Sequence, residues 1–250
     1  MPDILFFDLD GTLAESKQPL TADMAALLAK LLARTKVGVI SGGALSQFLR
    51  QVVERLPQDA NIANLYLLPT SGAALYEWRE EGWRKVYEER ISETDTAKIE
   101  AALRDAAAAS GIGESAEKTW GPQIEYRGGQ VTFSALGQLA PPDVKKAWDP
   151  DHAKRLTLQA AVERRLPAGF AAAMGGATTI DVTKYGVDKA YGIHRLSERL
   201  HLPESSMLYV GDELVPNGND EPVFKTNVQT YAVSGPNDTV RVIESLLRFK

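Results

Sequence analysis

The most constraining feature of this sequence is its opening strand and turn, Ile4-Leu5-Phe6-Phe7-Asp8-Leu9-Asp10-Gly11-Thr12-Leu13. Four apolar residues with a β-branched and aromatic bias predict a buried strand, which ends in two carboxylates one residue apart and a glycine. In an open parallel sheet, ligands bind in the crevice beyond the carboxyl ends of the strands, so Asp8 and Asp10 are expected to point into that crevice from a rigid element. Two anionic groups there repel unless a cation sits between them. A hard divalent ion with oxygen ligands, Mg²⁺ above all, removes the conflict and also neutralises a phosphate brought to the same place.

Composition narrows the classes. With 250 residues, 44% of them apolar, the chain has ample material for a core in one large domain or two small ones. The 28 basic and 33 acidic residues give a net charge of −5 with no long run of either sign, so neither nucleic acid nor a membrane surface is an expected partner. The absence of cysteine excludes disulfides, zinc-thiolate sites and thiol nucleophiles. Met1-Pro2-Asp3 opens without a basic region or a long apolar run, so the expected compartment is the cytoplasm.

Behind Thr21 as a cap, Met24, Leu27, Leu28, Leu31 and Leu32 recur at helical spacing. Val37 to Ile40 reads as a second buried strand ending at Ser41-Gly42-Gly43, followed by a helix marked by Leu45, Phe48, Leu49, Val52, Val53 and Leu56. Leu65 to Leu68 is a third strand. Strand, polar turn and helix repeating in this way form βαβ units, half of a doubly wound α/β sheet. From Ala73 the pattern changes to hairpins and helices: 74–78 with 83–87, a helix behind Ser92 and Asp95 ending at Gly111-Ile112-Gly113, 123–127 with 130–134 around Gly128-Gly129, a helix over 151–166, and a hairpin turning at Gly175-Gly176. This α+β module is expected to form a second domain over 83–183, inserted in a core of 1–82 and 184–250. The core pattern resumes with a helix beginning near Lys189, a strand over 206–210 ending at Gly211-Asp212, a strand over 228–232 and a last helix.

Asp8-Leu9-Asp10-Gly11-Thr12-Leu13 resembles the first motif of the haloacid dehalogenase-like phosphotransferases, and three further sites match that family in order: Ser41-Gly42, Lys189, and Asp212 in the loop from Gly211 to Asp220. The resemblance implies a Rossmann-like core with a cap domain. It makes Asp8 the nucleophile that becomes an aspartyl phosphate and Asp10 the general acid and base. Ser41 and Gly42 are then expected to hold the transferring phosphoryl group, and Lys189 to neutralise both nucleophile and phosphate. The implied Mg²⁺ ligands are Asp8, Asp10 through its backbone carbonyl, Asp212, and Asn219 or Asp220.

The likeness is closest to the phosphomannomutase-like branch, through Gly186-Val187-Asp188-Lys189-Ala190-Tyr191 and the strings 124–128 and 174–182. That branch implies substrate contacts for Arg127, on a phosphate that is not being transferred, and for Thr179 and Asp181, on sugar hydroxyls. Two further cap arginines of such mutases correspond to Trp120 and Gln138, and a core arginine to Lys17. Fewer bidentate grips on a bisphosphorylated intermediate, and Ser41 where mutases carry glycine, favour hydrolysis of a sugar phosphate or similar metabolite over isomerisation. Hexose 1-/6-phosphate isomerisation is the alternative, and a non-catalytic phospholigand-binding protein the second alternative. The oligomeric state is left open, with a homodimer through the cap as one arrangement.

Overall fold

The computed structural model describes residues 1–112 and 119–248. The chain divides into two compact units, Met1–Glu88 with Asp188–Lys250, and Glu89–Val187. The first begins with β1 (Ile4–Phe7), α1 (Ala22–Leu32), β2 (Lys36–Ile40), α2 (Leu45–Gln51), β3 (Leu65–Leu68), β4 (Ala74–Arg79) and β5 (Gly82–Glu88). The second holds α3 (Glu93–Ser110), β6 (Ile124–Tyr126), β7 (Val131–Ser134), α4 (Pro142–Trp148), α5 (Ala153–Glu163), β8 (Phe170–Met174) and β9 (Thr179–Lys184). The first unit is completed by α6 (Lys189–Leu200), β10 (Met207–Gly211), β11 (Gln229–Ala232) and α7 (Pro236–Arg248).

The first unit is built on a seven-stranded sheet in the order β11-β10-β1-β2-β3-β4-β5. It is parallel from β11 to β3 and antiparallel over β4 and β5. β1 lies in the middle, with Phe7 opposite Val39 on one side and Val210 on the other. Both faces of this strand are covered. Leu5 and Phe7 share a core with Met24, Leu28, Phe48 and Ile243 from α1, α2 and α7, while Ile4 and Phe6 share one with Ile193 and Leu196 of α6. Burial on both faces is why the strand sequences are continuous apolar runs rather than alternating ones. The doubly wound α/β core expected from the βαβ pattern is present.

The second unit carries a four-stranded antiparallel sheet in the order β6-β7-β9-β8. Val131, Phe133, Ile180 and Val182 pack against Ile99 and Leu103 of α3 and Leu158 and Val162 of α5. Local signals act as expected in both units. Thr21 Oγ1 accepts the Met24 N–H at the start of α1, and Ser92 Oγ accepts the Asp95 N–H at the start of α3. Gly111, at φ +65°, closes α3 in the left-handed region, while Gly113 lies outside the described residues.

Three expectations need correction. The expected border at 82/83 falls inside the β4–β5 hairpin, where Trp83 is opposite Trp78 with the two rings edge to face, so the hairpin stays whole in the first unit. The border at 183/184 moves to 187/188, because Lys184 still pairs with Phe170 and the Thr183 hydroxyl donates to the Val187 carbonyl. The helix expected to reach Leu56 stops at Gln51 and continues as a 3₁₀ turn over Val53–Arg55, consistent with two β-branched residues and the approach to Pro57. The short α4 starts at Pro142, and a proline in the first helical turn is its only local signal.

Where α6 crosses the loop after β3, Gly192 meets Gly72: a Cβ on Gly192 would lie 2.9 Å from the Gly72 Cα and 2.9 Å from Ile40 Cδ1. This close approach sets the height of α6 over the sheet. Gly192→Ala is therefore expected to lower stability by roughly 1–3 kcal/mol through overpacking, read as a lower urea midpoint at unchanged m-value. An unchanged midpoint would show that helix and loop yield freely.

Candidate active site

Asp8, the residue after β1, is 1% exposed, and its N–H donates to the Val210 carbonyl of β10. Across the crevice α6 starts at Lys189, because Asp188 caps the helix by accepting the Tyr191 N–H. Lys189 Nζ lies 2.6 Å from Asp8 Oδ1, 2.6 Å from Asp220 Oδ1 and 2.9 Å from Asn219 Oδ1. A fourth oxygen, the Tyr209 hydroxyl, lies at 3.3 Å, so the three donors of the ammonium are fully taken up by the protein. Asp220 is fully buried; its Oδ1 also accepts the Tyr209 hydroxyl and its Oδ2 the Glu213 N–H. Both oxygens of Asp220 are thus occupied by protein donors, which fits an anchor for Lys189 better than the metal ligand expected from the sequence.

Asp212 follows β10 and reaches the opening turn. Its Oδ1 accepts the Thr12 hydroxyl at 2.7 Å, and a Cβ on Gly11 would lie 2.2 Å from its Oδ2. Gly11 has φ +93°, so both its conformation and its contact with Asp212 require glycine. Asp10, in contrast, turns toward α2. Its Oδ1 accepts the Lys17 N–H (2.7 Å) and Gln51 Nε2 (3.2 Å), and its Oδ2 accepts Gln47 Nε2 (2.9 Å). The repulsion for which the sequence suggested a shared cation is relieved first by separation: Asp8 faces an ammonium and Asp10 faces amides.

Among the described residues, no group of three or more acidic or histidine side chains is placed to hold one metal ion. The oxygens left near the opening turn are two carboxylates, Asp8 and Asp212, with the main chain of the Asp10–Gly11 turn beside them. This donor set is all oxygen and suits a hard divalent cation. Charge argues the same way, since Asp8, Asp212 and Asp220 crowd around the single ammonium of Lys189. Burial pulls Lys189 down, but Asp220 and Asp8 override it and hold the ammonium above its ordinary value. Burial pushes the Asp8 carboxyl well above the usual range, Lys189 pulls it back, and Asp220 and Asp212 add to the rise. With three carboxylates to one ammonium, Lys189 stays charged and Asp8 is the member under strain. Asp212 is pushed up to about 6, by burial first and then by Asp220, against the Thr12 hydrogen bond.

Ser41 follows β2 and is buried. Its N–H donates to Leu68 and its carbonyl accepts the Ser71 N–H, while its hydroxyl has no partner among the described residues. Gly42 is the next residue in this loop, and the Gly43 carbonyl accepts the Thr70 N–H. Thr70 and Ser71, at φ +54° and +56°, are thus held in a sparsely populated backbone region by the two bonds that brace the Ser41–Gly43 loop.

The remaining expected contacts lie in the second unit, apart from Lys17, whose main chain holds Asp10. Arg127 donates through Nε and Nη2 to Glu125 Oε2 and through Nη2 to Gln138 Oε1. Lys145, not singled out in the sequence, donates to the Gln138 carbonyl at 3.0 Å, so a second cation stands beside Gln138. Thr179 and Asp181 are two apart on β9, opposite Ser134 and Thr132 on β7, and a Cβ on Gly175 would lie 2.4 Å from Thr179 Oγ1 and 2.5 Å from Asp181 Oδ2. The backbone N–H of Trp120 donates to Leu136. Tyr209, Gln47 and Gln51 were also missed, the first because it reads as ordinary strand core. The two glutamines, four apart within an apolar helix stripe, were a usable signal.

A profile of the family described as eukaryotic phosphomannomutase matches residues 24–249, which leaves the opening strand and its two aspartates outside the match. The phosphomannomutase of Saccharomyces cerevisiae is 23% identical over 252 residues, covering 97% of this chain and 93% of that protein. Human phosphomannomutase 1 is 24% identical, covering 95% and 89%. Among solved structures, N-terminally truncated Plasmodium falciparum IMP-nucleotidase superposes with a TM-score of 0.74 at 17% identity, over 100% of this chain and 71% of that one. A haloacid dehalogenase-like hydrolase from Bacteroides thetaiotaomicron gives 0.62 at 14% identity over 98% and 100%. These two establish likeness of fold.

The Asp212 shift carries a pH prediction. Its folded pKa, about 6, exceeds the unfolded value, so the native state holds a proton that the unfolded chain has already released, and this contribution is lost as pH rises from about 4 to about 6. With a chelator present, Asp212→Asn should melt with the wild type near pH 4. At pH 8 it should melt higher, by the equivalent of about 1–3 kcal/mol. Coincident melting at both pH values would remove the case for charge crowding at this position.

Proposed function

Since the chain belongs to the eukaryotic phosphomannomutase family, we propose that it moves a phosphoryl group between positions 1 and 6 of a hexose phosphate through an aspartyl phosphate on Asp8. Membership makes the chain an enzyme of phosphoryl transfer, mutase or phosphatase, rather than a non-catalytic binding protein. The observation that carries the reading is the buried Lys189 ammonium shared by Asp8 and Asp220 at the end of the central strand.

In this reading the Asp8 carboxylate attacks phosphorus, the bond from phosphorus to the leaving oxygen breaks, and Asp10 gives that oxygen a proton. Lys189 stabilises the charge that collects on the phosphoryl oxygens, and the uncommitted Ser41 hydroxyl and the N–H of Gly42 donate to them. In the other half-reaction the free hydroxyl of a hexose monophosphate gives its proton to Asp10 as its oxygen attacks the aspartyl phosphate, and Asp8 leaves, so that the hexose bisphosphate forms. Asp8, Asp212 and the Asp10 carbonyl would hold Mg²⁺, which would supply positive charge near these oxygens. Asp220 and Asn219 position Lys189. Arg127, joined by Lys145, serves the distal phosphate, Thr179 and Asp181 the sugar hydroxyls, and Lys17 takes the place of a core arginine.

Lys145 changes the weight of the two readings. Gln138 and Trp120 in place of arginines favoured hydrolysis, but a cation on the Gln138 carbonyl supplies part of the missing charge, and the relatives named above are mutases. Hydrolysis of a hexose phosphate remains the second reading, favoured by the Ser41 hydroxyl and by the single charge that Lys145 offers where a guanidinium would grip in two places.

A coupled assay decides between them. Isomerisation of mannose 1-phosphate that depends on added hexose bisphosphate and outruns phosphate release supports the mutase; phosphate release that ignores the bisphosphate overturns it. Asp8→Asn should lower either activity by about a thousandfold or more while the protein stays folded by circular dichroism. Retained activity in that variant would remove Asp8 as the nucleophile.

A further inference from the structure

We propose that Gln47 and Gln51 are positioning residues for proton transfer: together they clamp the Asp10 carboxylate in the orientation from which it serves the oxygens that leave and attack at phosphorus. The inference rests on the reading of Asp10 as acid and base given above.

The two glutamines lie four residues apart on α2, hence on one face, and both are buried, at 9% and 4% exposure. Buried amides on a helix facing a hydrophobic core are costly unless their hydrogen bonds are made. Here the Nε2 groups go to opposite oxygens of one carboxylate, Gln47 to Oδ2 at 2.9 Å and Gln51 to Oδ1 at 3.2 Å. The Lys17 N–H adds a third donor at Oδ1. Asp10 is thus held from both sides, and rotation about its side-chain bonds breaks at least one contact.

The two amides are not equivalent. Gln51 also donates to the Gln18 carbonyl and leaves its own Oε1 buried without a partner. That orphan acceptor is what results when the amide must present N–H to Asp10, since the flipped amide would set oxygen against a carboxylate. For Gln47, Asp10 is the only hydrogen-bond partner of the side chain among the described residues. Its amide lies over Gly43, where a Cβ would be 2.6 Å from Oε1, so the glycine after Gly42 leaves room for it. One side chain therefore ties the acid and base to the loop that receives the phosphoryl group.

Placement matters because proton transfer in the transition state falls steeply with small errors in position. When an alkoxide leaves, the bond from phosphorus to oxygen breaks as the Asp10 proton moves to that oxygen. When the acceptor hydroxyl attacks, the proton returns to Asp10 and the bond from Asp8 to phosphorus breaks. An aryl phosphate differs in one respect, because nitrophenolate departs without needing a proton.

The test compares the two leaving groups in the full-length protein with Mg²⁺, timing the first turnover with a hexose 6-phosphate and with p-nitrophenyl phosphate. Gln47→Leu should slow the hexose reaction by about ten- to a hundredfold with KM within about twofold, and the ratio of hexose to aryl rate should fall by about tenfold or more. Gln47→Glu, which keeps the shape but lacks the N–H, should lower the ratio in the same direction and covers the case in which the leucine variant folds poorly. Equal losses on both substrates would reduce the glutamines to scaffolding, and no loss on either would overturn the clamp. Absence of turnover in the wild type with both substrates would instead overturn the phosphoryl-transfer reading on which the clamp depends.

Discussion

The site depends on one buried ion cluster. Lys189, at the first turn of α6, reaches between Asp8 after β1 and Asp220 in the loop beyond β10. Removing Lys189 would leave the buried carboxylates of Asp8 and Asp220 without their counter-ion, which is the costly way to disturb a buried pair. Much of the first unit serves this meeting. Gly72 and Gly192 let α6 sit low over the sheet, Asp188 starts the helix at the right residue, the Tyr209 hydroxyl shares Asp220 Oδ1 with Lys189, and the Glu213 N–H takes Oδ2. The cluster stays short of positive charge, so it is organised but not neutral, which suits the divalent cation and phosphoryl group of the proposed reaction.

Separation of the two opening aspartates is the second organising fact. A single residue separates them, yet Asp8 lies in a fully buried setting beside an ammonium and Asp10 in a half-buried one lined by amide N–H groups and one backbone N–H. Two carboxylates with different surroundings suit different work, as the proposed roles of nucleophile and proton carrier require. The strand places the pair, and the elements that follow it distinguish the members: α6 and the loop beyond β10 address Asp8, α2 addresses Asp10.

Much of the architecture was legible because periodicity reports burial. The continuous apolar runs of Ile4–Phe7 and Leu65–Leu68 announced strands covered on both faces, and Thr21 and Ser92 announced helix starts by side-chain chemistry alone. Asp8 could be picked out because a buried strand breaks there into polar residues, whereas Lys189 and Asp212 were singled out by the resemblance to the phosphotransferase motifs, each at a helix start or a strand end. Tyr209 could not, since a phenol in a buried strand looks like core until its hydroxyl is seen on Asp220. Lys145 was missed because a lysine in a short helix without an apolar stripe reads as solvated surface. The domain borders were misplaced by a few residues because a hairpin, not a loop, closes the first unit on that side, and hydrophobic pattern does not say to which sheet a strand belongs.

The strand order has a consequence in time. β1 precedes the other strands of its sheet and sits in the middle of it, with one neighbour, β2, following closely and the other, β10, arriving only after the second unit. The Thr12 to Asp212 hydrogen bond spans 200 residues. During synthesis one edge of Ile4–Phe7 therefore waits, apolar and unpaired, while the whole second unit emerges from the ribosome, a situation that favours slow closure and invites association with other nascent strands. A chain cut short anywhere before β10 has both aspartates and no place for them to act.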